Sequence, residues 1–330
     1  MPSPEYDEDD VRVRPTRRSR PRTKIRPKHA DAEEGFVTAV DRGRYTCLVA
    51  GTAVTAMKAR ELGRQSIVVG DRAALVGDLS GRDGTLARIV RIAPRHGELR
   101  RSADDENPAE RVVVANVDRL VIVASLVDPP LRYGFVDRCL VAAYDADVAP
   151  VLCLTKTDLA PELVAEVEAY YSQLELTTVT TRPGEPLDGL RDLLAGGENV
   201  FFGHSGVGKS TLINRLVPGA GRAVGEVRAI GKGSHTSTST AALELPDGGW
   251  VIDTPGVRSF GLAHVTADSV LKAFPELEAI AADCPRGCTH TPAIGDCALD
   301  EAIGPEDPLA GRLASFRRML ASLAETDGKT

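Results

Sequence analysis

The chain contains few aromatic residues and no long hydrophobic run. Phe, Trp and Tyr make up 4% of its 330 residues, so few rings are available to stack on nucleic-acid bases. Apolar stretches such as Leu120–Val127 are far shorter than the roughly 18 residues that a membrane-spanning helix needs. The polar, acidic N-terminus does not resemble a signal peptide, and six cysteines are too few for a disulfide scaffold. We therefore expect a cytoplasmic protein with reduced thiols and no membrane partner.

The net charge of −7 combines two unlike parts of the chain. Nine Lys or Arg residues and no Asp or Glu lie between Arg12 and Lys28, so the remainder is strongly acidic. Residues 1–34 contain several prolines and little apolar surface, a composition that predicts a disordered tail. Its basic part either binds the phosphates of a nucleic acid or is only a solvated tail.

Three folded segments follow the tail. Residues 35–98 contain five short strands separated by turns, which predicts a small closed β-barrel of the OB type. Residues 99–265 alternate apolar strands with helices, the pattern of a mainly parallel α/β domain. Residues 266–330 predict an α-helical domain whose last helix is amphipathic. The predicted barrel strands are Phe36–Val40, Arg44–Val49, Val54–Lys58, Arg72–Val76 and Thr85–Ile92, and the predicted core stripe of the last helix is Leu309, Leu313, Phe316, Leu320 and Leu323.

A phosphate-binding pattern, G-x-x-x-x-G-K-[ST], lies between a predicted strand and a predicted helix. Its glycines allow successive N–H groups to face phosphate oxygens, and the helix N-terminus adds partial positive charge. We expect Lys209 to reach the β- and γ-phosphates and the Ser210 hydroxyl to bind Mg²⁺. The alternative is a glycine-rich turn that only caps a helix. The pattern is Gly203-His204-Ser205-Gly206-Val207-Gly208-Lys209-Ser210-Thr211.

Two further motifs indicate a guanine nucleotide. Asp253-Thr254-Pro255-Gly256 matches D-x-x-G, in which the Asp holds Mg²⁺ through water and the Gly N–H contacts the γ-phosphate. Thr155-Lys156-Thr157-Asp158 is similar to the N/T-K-x-D motif. A carboxylate at Asp158 accepts hydrogen bonds from the guanine N1–H and 2-amino group, which adenine does not offer in that arrangement. Either motif alone is also explained by a polar turn after a strand.

The order of these motifs is reversed from that of ordinary small GTPases. The base-recognition motif precedes the phosphate loop by about 48 residues, whereas ordinary GTPases place it last. A parallel sheet tolerates this order because the position of each strand, not its place in the chain, builds the site. The sequence therefore predicts a circularly permuted P-loop GTPase domain.

Four candidate metal ligands cluster near the C-terminus, with the spacing C-x3-C-x-H-x6-C. Three thiolates and one imidazole suit a closed tetrahedral Zn²⁺ site, so we expect one structural zinc ion. A set of unrelated buried thiols is the alternative. The ligands are Cys284, Cys288, His290 and Cys297, whereas Cys47, Cys139 and Cys153 lie in apolar segments and are predicted to be core.

The barrel, the permuted motifs and the Cys/His cluster together resemble the small ribosomal subunit-dependent GTPase A family over roughly residues 35–323. Ala115-Asn116-Val117-Asp118, Val136-Asp137-Arg138 and Asp253–Arg258 are also similar to the family's sequences. The resemblance implies hydrolysis of GTP to GDP and phosphate (EC 3.6.1.-), with Mg²⁺ bound beside the nucleotide. It further implies stimulation by the small ribosomal subunit, a role in late 30S maturation and contact with 16S rRNA. We expect a monomer.

Two positions depart from the family pattern. Thr155 stands where the family usually has Asn, so we expect one base-loop contact to be weaker. His204 occupies a position that is more often Gln. The zinc-ligand spacing also differs by one residue before Cys288 and after His290, without loss of a ligand type.

The residues that assist hydrolysis are less clearly marked. Val257 follows the D-x-x-G motif where many GTPases have Gln, and an aliphatic side chain cannot orient water. Residues 231–240 resemble the family's switch I, in which Thr236, or else Thr238, closes on Mg²⁺ and the γ-phosphate. His235 would then orient the attacking water. A solvated loop with no fixed catalytic residue is the alternative.

Two other functions remain open at this point. One is an RNA-binding scaffold whose nucleotide is merely structural, in which case loss of Lys209 leaves ribosome association intact. The other is a P-loop small-molecule kinase, which gives no reason for the Thr155–Asp158 motif or for the Cys/His cluster.

Overall fold

A computed structural model describes residues 29–104, 107–174, 176–219, 240–254, 262, 265–292 and 296–327. This part of the chain contains thirteen strands and eight α-helices. The strands are β1 Glu33–Asp41, β2 Arg44–Val49, β3 Thr52–Lys58, β4 Arg72–Gly77, β5 Ala87–Ile92, β6 Leu99–Asp104, β7 Asn107–Val114, β8 Arg119–Ser125, β9 Ala149–Thr155, β10 Thr177–Thr180, β11 Glu198–Phe202, β12 Ala241–Glu244 and β13 Trp250–Asp253. The helices are α1 Tyr133–Asp145, α2 Glu162–Tyr171, α3 Asp188–Leu194, α4 Lys209–Leu216, α5 Ala267–Leu271, α6 Pro275–Ala281, α7 Ala298–Ala302 and α8 Ala310–Asp327.

Strands β1–β5 close into a barrel. The pairing runs β1-β2-β3-β5-β4 and returns to β1, with β3 and β5 parallel and the other pairs antiparallel. Alternate side chains, including Val37, Cys47, Val54 and Ile89, fill the interior and are almost completely buried. The predicted five-stranded barrel is therefore confirmed, although β3 begins two residues before the predicted strand and β5 two residues after its predicted start.

The second part of the sheet is mainly parallel, as predicted. Strands β10, β9, β8, β11 and β13 lie side by side in this order and are parallel, and β12 is antiparallel to β13. Both faces are covered, which explains why the strand sequences are nearly continuous apolar runs. In β8, Leu120 and Ile122 pack toward helices α1 and α2, whereas Val121 and Val123 pack toward α3 and α4.

The β6–β7 hairpin was not anticipated from the sequence. Its strands pair antiparallel and form a separate two-stranded sheet. Charged residues fill the middle of this segment and only its two ends are apolar, so it lacks the alternation of apolar and polar residues that predicts a strand. Leu99 and Val114, at those ends, are buried with Phe36 and Val69 of the barrel region, so the base of the hairpin packs between the barrel and the α/β sheet.

The C-terminal helices pack on the α/β part of the chain. The predicted stripe of helix α8 is confirmed: Leu313, Phe316 and Leu320 are buried, and Phe316 meets Phe274 edge-on with ring centroids 5.7 Å apart. Two arginines outside the stripe form ion pairs, Arg312 with Glu276 and Arg318 with Asp137, whose Nε and Oδ2 atoms are 3.1 Å apart. These pairs attach α8 to α6 and to α1.

The barrel and the α/β sheet are hydrogen-bonded to each other. β1 pairs with β12 at Ala39 and Ala241, so the eleven strands form a continuous sheet. Next to this pair, the Phe36 and Trp250 rings lie 4.4 Å apart. Among the described residues, no helix has both the length and the apolar character needed to cross a membrane.

Candidate nucleotide-binding site and metal centre

The predicted nucleotide motifs meet at one edge of the parallel sheet. The Thr155–Asp158 motif begins at the carboxyl end of β9, the phosphate loop follows β11, and Asp253 ends β13. Strand β8 lies between β9 and β11, and β13 borders β11 on its other side. Ligands of open α/β sheets bind at this carboxyl edge.

The backbone of the phosphate loop requires its glycines. Gly206 and Gly208 have φ angles of +87° and +94°, a region that other residues rarely adopt. A side chain at Gly203 would overlap the carbonyl oxygen of Val123. Gly208 precedes the first residue of helix α4, so the loop delivers the chain directly into the helix N-terminus. This is the geometry that directs backbone N–H groups toward an anion.

The residues that we expect to bind the phosphates and Mg²⁺ lie together at the end of this loop. Lys209 is the first residue of α4, and its Nζ atom pairs with Oδ1 of Asp253 at the end of β13. The Lys209 side chain is only 13% exposed, whereas the adjacent Ser210 is exposed. A phosphate bound in the loop would compete with Asp253 for Lys209, because both offer anionic oxygens to the same ammonium group.

The base-recognition motif is braced against the phosphate loop. The buried Thr155 hydroxyl donates to the Val207 carbonyl, with 2.6 Å between Oγ1 and the oxygen. Lys156 has a φ of +56°, and its ammonium group donates to the Asp128 carbonyl. Thr155 therefore makes a short hydrogen bond to the phosphate loop, while the weaker base-loop contact that we expect from Thr in place of Asn stays a prediction. The role of Asp128 carried no sequence signal, because it contributes only a backbone oxygen.

The remaining residues of this motif face a neighbouring loop and solvent. The buried Thr157 hydroxyl donates to the Thr181 carbonyl at 3.3 Å, and the Thr181 N–H donates to the Leu154 carbonyl at 2.8 Å. Thr181 follows β10, so the structure brings this loop beside the motif. Asp158 is exposed, which leaves its carboxylate accessible to a ligand.

His204, the second residue of the phosphate loop, packs against helix α1. Its ring lies 4.0 Å from the Phe135 ring, centroid to centroid, and its Nε2 atom is buried with no hydrogen-bond partner among the described residues. Burial lowers the pKa of His204, and the positive charges of Arg132 and Arg138 lower it further. The imidazole is therefore neutral at pH 7. A cavity of about 210 Å³ adjoins it. Phe135 was missed as a site residue because its position in an apolar helix face predicts only core.

The Cys/His cluster is assembled as predicted. The ligand atoms of Cys284, Cys288, His290 and Cys297 all lie within 4.8 Å of one another. The Cys284 and Cys297 sulfurs are 3.9 Å apart, and His290 Nδ1 is 3.6 Å from Cys284 Sγ. Two sulfurs at 2.3 Å from a tetrahedral Zn²⁺ are roughly 3.8 Å apart, so the spacing fits such an ion. Cys47, Cys139 and Cys153 are buried elsewhere, in agreement with their predicted core role.

The other ring nitrogen of His290 faces a carboxylate. Its Nε2 atom lies 3.8 Å from Oδ1 of Asp268, while Nδ1 faces the thiols. This distance is too long for a hydrogen bond but leaves the two groups as an ion pair when the imidazole is protonated. Arg317 donates to the His290 carbonyl at 3.0 Å and pairs with Asp300 at 2.7 Å, which ties the cluster to helices α7 and α8.

Three predicted site residues and the aliphatic residue after the D-x-x-G motif lie outside the described part of the chain. The site residues are His235, Thr236 and Gly256, and the aliphatic residue is Val257. The alternative switch residue, Thr238, lies outside it as well.

The strand order and the motif order together define a circularly permuted GTPase fold, in which the base-recognition strand β9 precedes the phosphate-loop strand β11. The crystal structure of YjeQ from Thermotoga maritima matches with a TM-score of 0.65 over 91% of this chain and 100% of that chain, at 24% identity. YloQ, described as a circularly permuted GTPase, matches with a TM-score of 0.63 over 92% of this chain and 98% of that chain, at 22% identity.

The chain belongs to the RsgA GTPase family, whose model matches residues 92–263. Three similar proteins are each named small ribosomal subunit biogenesis GTPase RsgA. The one from Haemophilus influenzae (strain 86-028NP) is 36% identical over 269 residues, 79% of this chain and 77% of its own length. The Pseudomonas aeruginosa (strain LESB58) protein is 40% identical over 247 residues, 72% of each chain. The Chlorobaculum tepidum protein is 37% identical over 274 residues, 80% of this chain and 87% of its own length.

Proposed function

We propose that this chain hydrolyses GTP to GDP and phosphate and acts in late maturation of the small ribosomal subunit. GTP hydrolysis is the activity in the family's description, and small-subunit biogenesis is the process named for its relatives. The observation that carries the proposal is the bracing of the base-recognition motif on the phosphate loop, through Thr155 and Val207. A generic P-loop kinase has no need of that contact.

Each nucleotide-binding residue has a proposed role. The exposed Asp158 carboxylate reads the guanine N1–H and 2-amino group, and Lys156 lies along the base. The loop from Gly203 to Thr211 holds the β- and γ-phosphates through its N–H groups and Lys209. The Ser210 hydroxyl and, through water, Asp253 hold Mg²⁺. Mg²⁺ bound with the nucleotide neutralises the phosphate charge.

Hydrolysis is proposed to depend on the switch segments. The aliphatic Val257 cannot polarise water, so intrinsic turnover should be slow. Thr236 closes on the γ-phosphate and His235 orients the attacking water once the small subunit is bound. Replacing His235 with Ala should therefore abolish the stimulation by subunits and leave nucleotide affinity unchanged. Unchanged stimulated turnover would remove His235 from the mechanism.

Zinc binding and contact with 16S rRNA are supported by ligand chemistry and by charge, respectively. The Cys/His cluster holds one structural zinc ion in the domain formed by residues 266–330, because three thiols and an imidazole converge there. The basic part of residues 1–34 and the barrel, residues 35–98, contact 16S rRNA, while residues 99–265 bind the nucleotide. The protein acts as a cytoplasmic monomer.

Turnover assays test the proposed function. Purified full-length protein should hydrolyse GTP slowly, accelerate when purified small subunits are added, and leave ATP unhydrolysed. Lys209→Ala should lose nucleotide binding and turnover, whereas Lys272→Ala, at an exposed lysine of the C-terminal segment, should match the wild type. Absence of subunit stimulation would contradict the ribosomal role. Normal function of the Lys209→Ala variant in cells would instead favour an RNA-binding scaffold.

A further inference from the structure

Three side chains with metal-binding atoms meet at the edge of the sheet opposite the nucleotide site. One ligand atom each from His96, Asp118 and Glu198 lies within 4.8 Å of the other two. Asp118 precedes β8 and Glu198 begins β11, so both carboxylates lie at the amino ends of neighbouring parallel strands. Along β11, roughly 16 Å separates Glu198 from Gly203, the start of the phosphate loop. The cluster is therefore separate from the GTP site.

Backbone hydrogen bonds hold the three residues in place. The Asp118 N–H donates to the Glu198 carbonyl at 3.0 Å, and the Glu198 N–H donates to Oδ2 of Asp118 at 2.7 Å. The His96 N–H donates to the Asn116 side-chain oxygen at 3.1 Å, and the Val117 N–H to the Gly97 carbonyl at 3.0 Å. This arrangement fixes the histidine-bearing segment against the first residues of both strands.

The segment that bears His96 approaches the sheet so closely that its next residue must be glycine. Gly97 has a φ of +52°, and a side chain there would overlap the Val117 carbonyl oxygen. His96 Nε2 lies 3.4 Å from Oδ1 of Asp118. The imidazole therefore faces the carboxylate across a fixed junction between the barrel and the α/β sheet.

The two carboxylates of the cluster lie near two arginines. Two carboxylates are adjacent, and the Glu198 side chain is only 8% exposed. Its described ion-pair partner is Arg72, whose own side chain is half exposed and extends from the barrel. The Arg119 guanidinium is also near, since a Cβ added to Gly197 would overlap its Nη1 atom and lie 3.3 Å from Oδ2 of Asp118. A divalent cation would bind both carboxylates while retaining Arg72 in contact with Glu198.

We propose that His96, Asp118 and Glu198 form a second metal site, which binds a divalent transition-metal cation such as Zn²⁺ and fastens the barrel to the GTPase sheet. One imidazole nitrogen and two carboxylate oxygens are ligands that Zn²⁺ accepts, with water completing the coordination. Mg²⁺ and Ca²⁺ prefer oxygen ligands alone, so they should bind more weakly. Two of the three ligands, His96 and Asp118, are well exposed to water, which makes this site weaker than the thiolate cluster.

Cobalt spectroscopy distinguishes the two metal sites in the full-length, nucleotide-free protein. The first equivalent of Co²⁺ should enter the Cys/His cluster and give the intense thiolate-to-metal absorption. A second equivalent should bind without that absorption, because its ligands are nitrogen and oxygen. Competition with Zn²⁺ then gives the affinity for zinc at each site.

Two ligand variants and a matched control identify the residues. His96→Ala and Asp118→Asn should each weaken the second site roughly 10- to 100-fold and leave the first unchanged. Asp118→Asn keeps an oxygen that accepts the Glu198 N–H. Glu98→Gln is the control, since this carboxylate lies in the same segment but pairs with Arg95 and Arg100. The proposal is overturned if no second equivalent binds, or if both ligand variants bind it like the wild type.

Discussion

The hydroxyl of Thr155 donates a hydrogen bond to the carbonyl of Val207, 52 residues further along the chain, with 2.6 Å between the two oxygens. Thr155 ends the strand that carries the base-recognition motif, and Val207 lies inside the phosphate loop. The bond is buried, so it joins two separately encoded parts of one site. In the permuted chain, this contact joins the motif predicted to bind the base to the loop predicted to bind the phosphates.

Removing this contact should weaken nucleotide binding. In Thr155→Val the side-chain shape is retained but the buried Val207 carbonyl loses its donor, which costs about 1 to 3 kcal/mol. We expect GDP affinity to fall roughly tenfold, or about 1.4 kcal/mol, measured with a fluorescent GDP analogue. Thr155→Ser retains the hydroxyl and is the matched control. Equal affinities in the two variants would contradict the bracing role.

The guanine preference should depend on Asp158. In Asp158→Asn the side chain offers one donor and one acceptor, so it no longer matches the two donors of guanine but does match the 2-oxo group and N1–H of xanthine. Hydrogen bonds to charged groups contribute about 1.5 to 3 kcal/mol, so GTP affinity should fall roughly 10- to 100-fold. Competition binding with GTP and XTP measures the change from guanine to xanthine preference. Asp247→Asn, in an exposed turn, should change neither affinity.

Zinc removal should disrupt the C-terminal helices. Cys288→Ser removes one ligand of the Cys/His cluster, so the purified protein should lose its tightly held zinc, measured by elemental analysis. Because His290 is also tied to α8 through Arg317, we expect a lower melting temperature. The buried Cys153 lies in β9, away from the cluster, and Cys153→Ala should retain zinc. Full zinc content in the Cys288→Ser variant would contradict the assignment.

Stability should decrease in mild acid because of His204. Its folded-state pKa is lowered below the ordinary value of 6.5, chiefly by burial, so below that pH the unfolded chain binds more protons than the folded one. The free energy of unfolding therefore falls as the pH drops through 6.5. His204→Gln removes the titrating group. Urea unfolding at pH 7.5 and 5.5 should show a smaller loss in the variant than in the wild type, and an equal loss would contradict this account.

The junction between the barrel and the sheet should not tolerate a side chain at Gly70. Its φ of +92° is unfavourable for other residues, and an added Cβ would overlap the Ala115 carbonyl oxygen. Gly43 has a similar φ of +80° but open space around it. We expect Gly43→Ala to cost about 1 to 2 kcal/mol of unfolding free energy and Gly70→Ala clearly more. Equal costs in chemical denaturation would show that the close approach is unimportant.

The barrel and the nucleotide motifs were predictable because their signals are local. Turns at residues such as Gly43 and Gly51 separate alternating strands, and the phosphate loop is one contiguous pattern between a strand and a helix. The apolar stripe of α8 is likewise a short-range periodicity. In the turns, the phosphate loop and helix α8 alike, the residues that carry the sequence signal are close together in the chain.

The contacts missed from the sequence are those between distant segments. Asp137 and Arg318 are 181 residues apart, and Asp118 and Glu198 are 80 apart, so no local pattern marks either pair. Thr155 illustrates a different limit. A motif comparison registers the absence of Asn, but only the folded loop shows that a shorter hydroxyl reaches Val207. The β6–β7 hairpin was missed because its charged residues carry no apolar alternation.

The pairing of Ala39 with Ala241 has a practical consequence for dissecting the protein. Strand β12 would otherwise be the outer strand of the GTPase sheet, with unpaired backbone groups available to another molecule. A truncated GTPase domain that starts after the barrel would leave this edge bare, together with the ring of Trp250, which now lies against Phe36. Such a fragment should self-associate, so its nucleotide affinity would report on aggregated material rather than on the intact enzyme.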